Sequence, residues 1–546
     1  MRIFQFSAVL FLSTASLDAD EWLDTVVQYA DNVLENGRDV YGKKHTPLFV
    51  DGINVDTGQP VEWIYGGAYP DHPVKKWNKY EVFAVQHRGD RWMLSDLANQ
   101  QTLFRTLDAL STLTGDSKYR AAALEATRYA FDNFQSKSGA LYWGAHIAYD
   151  VRSDKIVLEQ HMHEMKFHYP HFPLMMEVDK KDTLAMIEAM WNIHILSWKT
   201  LDMNRHGESL AGSPSSFPWK RRYAPKQPPF RAEGLSFCGT GCDLMLAGIE
   251  YFRYTRRGAP LEWTKRLGSR FSDARHPETG LVGYQYTIPD DDRAAKQFGG
   301  DANEATLLGP DMIRFRYPRM AVSWIYFSDL LGQSDLANEA IKDLKALAKY
   351  AYNPKDNTVV GIFTDGTKID LTKIKEGDYY TIKRLGSRTA ESLYFRAYAT
   401  AWRADREKSA ELWEMTCHLA RHFDLGDFRS MKLNMDTKAN DSDTLHGLLE
   451  LHRATGKEAF LTLAKKVGSN LVKKRFIKGY FSRHKDFVNV RFDSHEPLAL
   501  LHLHAATKGI QNKLPLPWPS TPYFRCNFEG KGRTNDTQSI YEERRK

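Results

Sequence analysis

The hydrophobic and polar positions of the chain repeat one phrase. An amphipathic helical stretch runs into a glycine, a short polar link follows, and a second amphipathic stretch begins. The phrase occurs as LSTLTGDSKYRAAALEATRYAF around Gly115, FRYTRRGAPLEWTKRLG around Gly258, FSDLLGQSDLANEAIKDLKALA around Gly332 and LHRATGKEAFLTLAKKVG around Gly456. In the last of these, Phe460, Leu463, Ala464 and Val467 share one face at the 3.6-residue period. Glycine can end a helix in the left-handed conformation without a Cβ penalty, so each phrase predicts a helical hairpin. AWRADREKSAELWEMTCHLA around Asp405 predicts a fifth, turned by charged residues.

Loops of one type follow several hairpins: SKSGALYWGAH (136–146), HPETGLVGYQY (276–286) and, more loosely, NPKDNTVVGIF (353–363). Repeated helix pairs with like loops at one end predict an all-α fold, a single α/α toroid or barrel with long loops forming a cleft at one mouth. The repeats are irregularly spaced, which excludes a solenoid of fixed period. Alternating strand patterns are almost absent, which excludes a parallel β-helix. Leu184, Ile187, Trp191, Ile195 and Trp198 predict a further amphipathic helix, with Arg205-His206 just past its C-terminal end. The Pro-rich stretch 207–234 holds Lys220, Arg221, Arg222, Lys226 and Arg231. It is expected to be a loop, since proline breaks helices, and its charge suits either an anionic chain or solvent.

Composition narrows the class. With 546 residues, 42% of them hydrophobic, the chain can build a large core, assigned here to one domain over 18–527. Residues 1–17, with Arg2 ahead of the apolar run Ile3 to Leu12, have the pattern of a secretory signal; the polar tail 528–546 is expected to be disordered. The protein is therefore expected to be secreted or periplasmic, and monomeric. No apolar run beyond the N-terminus approaches the roughly 20 residues that span a bilayer. A net charge of +7, from 75 Lys+Arg against 68 Asp+Glu, fits an acidic substrate but is too diffuse to argue for nucleic acid. Four cysteines permit three pairings, between which the sequence does not choose, and Cys238 and Cys242 lack the second thiol pair that would suggest zinc.

The densest cluster of chemical groups is HMHEMKFHYP, with His161, His163, Glu164, Lys166 and His168. A zinc metalloprotease would need two histidines one helical turn apart. Here His163 and His168 are five apart, and Tyr169-Pro170 interrupts any helix. His146, Glu164 and His206 make better sense as one site, because two imidazoles and a carboxylate suit Mn²⁺, Zn²⁺ or a similar ion better than Ca²⁺. Spacing alone does not show that the three converge, and His161, His163 and His168 stay open as alternatives.

The run HEMKFHYP, then AMWNIHILSWKTLDMNRHG, and later EGLSFCGTGCDL with TGLVGYQY resemble the pectate lyases of polysaccharide lyase family 2. TPLFVDGINVDTGQPVEWI, NQQTLFRTLDALSTLTG and SGALYWGAH fit as well, so the likeness spans most of the chain; 143–207 is its specific part. The resemblance implies an (α/α)7 barrel and β-elimination of polygalacturonate, assisted by a metal such as Mn²⁺. It also implies that His146, Glu164 and His206 hold the metal and that Arg205 is the base. Removing H5 of a 4-linked uronate means breaking a C–H bond beside a carboxylate, which a divalent cation assists by drawing off charge. Arginine is an unusual base, with an unperturbed pKa of roughly 12.5–13.8. Read without the resemblance, Arg205 neutralises a substrate carboxylate. Lys166 is assigned to substrate binding and is the reserve base, since lysine shifts more readily. The rivals are a glycoside hydrolase recruiting Asp202 or Glu188, and a non-catalytic uronate-binding protein.

Overall fold

The computed structural model describes residues 19–64, 86–87, 90–144, 147–157, 162–207, 218–289 and 293–521. The expected signal segment, the tail 528–546, Cys526, His146 and His161 lie outside them. Among the described residues helix dominates, and fourteen of the helices form hairpins. They are α1 (Ala19–Asn36), α2 (Gln101–Thr114), α3 (Ser117–Phe134), α4 (Phe172–Val178), α5 (Lys180–His194), α6 (Gly241–Thr255) and α7 (Gly258–Asp273). After these come α8 (Tyr317–Leu331), α9 (Asp335–Tyr350), α10 (Ser392–Ala404), α11 (Ala410–His422), α12 (Ser442–Thr455), α13 (Glu458–Arg475) and α14 (Glu496–Thr507).

All five hairpins expected from the sequence are present. Gly115, Gly332 and Gly456 end their helices at φ 76°, 64° and 65°. Around Gly258 the turn is made differently. Arg256 takes the left-handed cap at φ 60°, and Gly258 opens the next helix. The helix expected over 184–198 stops at His194, because Ile195–Ser197 turns into a short strand paired with Asp202–Met203. Within the basic loop, Phe230–Ala232 pairs in parallel with Thr287–Pro289.

Two further hairpins went unread in the sequence: α4 with α5, whose first helix has seven residues, and α14 with α1, whose partners sit at opposite ends of the chain. Helices α6, α8, α10, α12, α14 and α2 pack as successive neighbours. Most are buried nearly all round, as helices enclosed on every side must be. Residues 167–171 join α2 to α6. His171 N donates to Gln101 Oε1 (2.7 Å), Arg105 donates to Pro170 O (3.1 Å), and the Asp243 carboxylate accepts from Phe167 N and Tyr169 N.

The segment 514–521 threads between these helices. Trp518 stacks on Tyr169 (5.1 Å) and meets the edge of Tyr326 (5.7 Å), while the buried Arg396 donates to Pro517 O. His502 Nε2 lies 3.0 Å from Pro515 O and His495 Nε2 3.1 Å from Ser520 O; a carbonyl only accepts, so both imidazoles donate. A cavity of about 520 Å³ remains beside this segment, lined by Arg105, Glu250, His446, His502 and Trp518 among others. Among the described residues no helix is long and apolar enough to cross a membrane, and Cys238, Cys242 and Cys417 are buried free thiols.

Burial, first of all, pushes His502 down to about 4 from 6.5. Between those values the unfolded chain binds a proton that the folded one refuses, so this imidazole favours folding above pH 6.5 and loses that contribution as pH falls toward 4. Buried carboxylates such as Asp243, raised to about 7, act in the opposite sense, so the difference between two proteins is the clean readout. The stability advantage of wild type over His502→Gln, from urea unfolding, is expected to shrink as pH drops from about 6.5 to about 4. A constant difference would contradict a neutral His502.

Candidate active site

The site is built on two strands of two residues, β1 (His163–Glu164) and β2 (His206–Gly207). They pair antiparallel with His206 opposite Glu164 and Gly207 opposite His163. Trp143 lies along the other side of β1: Trp143 N donates to Met162 O (3.0 Å) and Glu164 N to Trp143 O (2.8 Å). Met165 N donates to Arg205 O (3.0 Å), which extends the ladder beyond β2. Opposed residues of a strand pair project to the same face, as do residues two apart on one strand. Glu164, His206 and Lys166 accordingly meet.

One carboxylate oxygen is the centre. His206 Nε2 lies 3.1 Å, Lys166 Nζ 2.5 Å and Arg205 Nε 3.9 Å from Glu164 Oε1. The side chain of Glu164 is 0% exposed and that of Lys166 1%, against 16% for Arg205 and 17% for His206. Arg205 and His206 therefore face outward over a buried Glu164–Lys166 pair. Lys166, expected to touch substrate, instead has its ammonium inside the protein on Glu164. Behind Arg205 lies the Phe237 ring, 5.8 Å from the guanidinium carbon.

The other imidazoles of the cluster go elsewhere. His194 Nδ1 lies 2.7 Å from Asn204 O and His194 Nε2 2.8 Å from His163 Nδ1. Since the carbonyl only accepts, a neutral His194 donates through Nδ1 and accepts from His163. Burial drives His163 well below its ordinary range, with His194 and His168 adding to the effect. Burial also pushes His168 down to about 3. Both rings surround Trp143, His163 stacked at 6.1 Å and His168 edge-on at 6.1 Å. Asn204 Oδ1 in turn accepts from His206 N (3.0 Å), so this histidine chain braces the strand that carries Arg205 and His206.

Asp243 is a site residue that sequence reasoning missed. Its carboxylate accepts from Phe167 N (2.9 Å) and Tyr169 N (3.1 Å), and both donors stand at positive φ, 60° and 50°. Left-handed backbone is costly for aromatic residues, and converging N–H groups around an anion offset the cost. The turn carrying Lys166 and His168 is thereby tied to the first turn of α6. The signal lay in EGLSFCGTGCDL, where an acid follows a glycine-rich turn amid apolar residues.

The two carboxylates named for a hydrolase are occupied otherwise. Asp202 accepts from Ser236 Oγ (2.9 Å) and Glu233 N (3.1 Å), and Glu188 from Tyr251 OH (2.7 Å). The facing carboxylate and imidazole of Glu164 and His206 are donors of the kind that Mn²⁺ and Zn²⁺ accept, so the pair fits such an ion. His146, expected as the third donor, lies outside the described residues. Among the described residues no group of three or more His, Cys, Asp or Glu side chains is arranged to hold a metal.

Comparison with known proteins adds the family. A model of the family described as "Periplasmic pectate lyase" matches residues 46–527. The chain belongs to this family. It is accordingly a polysaccharide lyase of the pectate lyase type, and the family description is periplasmic. A curated relative, the "Pectate disaccharide-lyase" of Dickeya dadantii, is 27% identical over 566 residues, covering 96% of this chain and 97% of the relative. Two solved structures that the chain matches are far more distant. A GH76 alpha-mannanase from Bacteroides thetaiotaomicron matches with a TM-score of 0.41 at 9% identity, over 91% of this chain and 98% of its own. The cellobiose 2-epimerase of Bacillus thermoamylovorans gives 0.39 at 10%, over 88% and 100%. Neither positions a residue of this site.

Gly144 supplies a test of how tightly Glu164 is held. It stands at φ 101°, and a Cβ there would lie 2.8 Å from Glu164 Cβ. Gly115 is also left-handed, at φ 76°, but a Cβ there would meet nothing within 4 Å. Gly144→Ala and Gly115→Ala are each expected to lose about 1–2 kcal/mol from the left-handed backbone. Only Gly144→Ala is expected to lower turnover, by tenfold or more. Urea unfolding and initial rates on pectate separate the two effects; equal turnover in both variants would mean that Glu164 tolerates displacement.

Proposed function

We propose that this protein is a secreted or periplasmic, metal-dependent pectate lyase that acts as a monomer. It cleaves polygalacturonate by β-elimination to unsaturated oligogalacturonides. The observation that carries this reading is the meeting of His206, Lys166 and Arg205 on one oxygen of the buried Glu164, in a chain of a pectate lyase family. The scaffold is read as a sevenfold α/α toroid. In support, seven helix pairs follow one another among the described residues, and the first described helix, α1, pairs with α14.

Glu164 and His206, with His146, would hold the ion, Mn²⁺ or a similar transition metal. When bound, it supplies Lewis acidity toward the uronate carboxylate and so stabilises charge that develops next to it. The chain's own residues do the rest. Arg205, partly exposed above Glu164, takes H5 at a guanidine nitrogen. The C5–H electron pair becomes the C4=C5 double bond, the C4–O4 bond breaks, and the departing O4 takes a proton from water. Phe237 behind the guanidinium keeps Arg205 aimed. Lys166 acts through Glu164, as a buried counter-charge that keeps the carboxylate ionised and fixed.

Two experiments test the reading. Incubation with polygalacturonate is expected to generate the ultraviolet absorbance of the conjugated double bond, to stop with EDTA and to resume with added Mn²⁺. His206→Ala should lose at least about a hundredfold of that rate, comparable to or beyond the loss from disturbing a metal's supporting residues. Full activity in EDTA would exclude metal dependence, and an unaltered His206→Ala would remove that residue from the site. Arg205→Lys is expected to slow turnover by about 10²–10⁴ while substrate binding persists, the scale of a lost general base. A rate close to wild type would assign proton removal to another group.

A further inference from the structure

Arg205 is one end of a stack with a second guanidinium at the other. Its guanidinium carbon lies 5.8 Å from the Phe237 ring centre, Phe237 stacks on Tyr284 with centroids 4.2 Å apart and planes 25° apart, and the Arg316 guanidinium carbon lies 4.9 Å over Tyr284. Each ring gives one face to the other ring and one to an arginine, an arrangement that the negative ring faces favour. The stack is fixed by main-chain bonds. Phe237 bridges Gln285, Cys238 N donates to Tyr284 O (3.1 Å), and Tyr317 OH donates to Gly283 O (2.7 Å), the carbonyl just before Tyr284. Arg316 closes a π-helical turn, Met312–Arg316, that leads into α8, and such turns concentrate at functional sites. Tyr284 and Arg316 are both partly exposed.

Two aromatic rings separate the guanidinium groups, so one sugar carboxylate cannot touch both. We propose that Arg316 anchors a second carboxylate subsite on the same cleft, taken by a uronate other than the one whose bond breaks. The Phe237–Tyr284 pair is then a spacer that sets how far apart two carboxylates of one chain are gripped. The planar guanidinium suits a carboxylate on its outer side while its flat face stays on Tyr284. This inference rests on the pectate lyase reading above.

The test compares kcat/KM on long polygalacturonate with kcat/KM on the shortest oligogalacturonate that the wild type cleaves. In Arg316→Gln the long-to-short ratio is expected to fall at least tenfold, and the polymer KM to lose part of its salt dependence. Tyr284→Leu, which removes the spacer and keeps the charge, should shift the ratio the same way. If Arg316→Gln does not fold, Arg316→Lys replaces it, with a smaller fall expected because the charge remains. A wild-type ratio in the folded Arg316 variant overturns the subsite. If wild type releases no unsaturated product at all, the functional reading fails instead. The subsite is then judged by equilibrium binding of uncleaved polygalacturonate, where equal affinity of wild type and the Arg316 variant overturns it.

Discussion

A carboxylate with no exposed surface must be compensated by the protein around it, and much of the site's arrangement follows from how Glu164 is compensated. Its ammonium partner comes from two residues further along the chain, in the turn that follows β1, and its imidazole from the residue directly opposite on β2. Both placements depend on register. A one-residue slip of β2 would turn His206 to the other face and present Gly207 to Glu164. The strands are only two residues long, so their own hydrogen bonds cannot hold that register. Trp143 on one flank and the histidine chain from Asn204 through His194 to His163 on the other supply what the ladder lacks.

Register is fixed further out by strained backbone. Phe167 and Tyr169 both stand in left-handed conformations, which no other Phe, Tyr or Trp among the described residues adopts. The carboxylate of Asp243 holds them there from α6, and Arg105 of α2 binds the carbonyls that follow. Neighbouring hairpins thus act on the turn that bears Lys166. Burial raises Asp243 to about 7, while the N–H groups it gathers pull the other way. Its two oxygens accept from Phe167 N and Tyr169 N, and their removal would release the turn toward ordinary backbone angles.

The hairpins were legible because their signal is local: a 3.6-residue period, then a left-handed stop. Where Arg256 instead of Gly258 made the stop, the hairpin was still found, since the period carried it. The pairing of α1 with α14 left no local trace, because the contacting residues are separated by almost the whole chain. The extension of the α5 helix to Trp198 failed for a related reason. Ile195 and Leu196 continue the apolar content, but Ile195 pairs with Met203 and Ser197 with Asp202, a tertiary choice that propensity does not encode. Of the site, residue types and the 163–168 cluster were readable. The inward turn of Lys166 was not, since period-2 alternation says which face a residue takes and not whether that face is solvent or core.

The segment 514–521 ties the two ends of this architecture together. Thr521 N donates to Phe167 O (3.2 Å), and Trp518 stacks on Tyr169, so the last described residues press on the same strained turn that Asp243 restrains from the other side. Upstream, His502 and His495 hold the segment through hydrogen bonds to carbonyls, and each imidazole is kept neutral by burial. Protonating either would not remove its N–H donor, but it would put a buried positive charge near Arg396, which Asp443 partly offsets at His495. The coupling is therefore electrostatic as well as steric. The Trp518 ring packed on Tyr169 and the bond from Thr521 N to Phe167 O thus join this segment to the turn that carries Lys166.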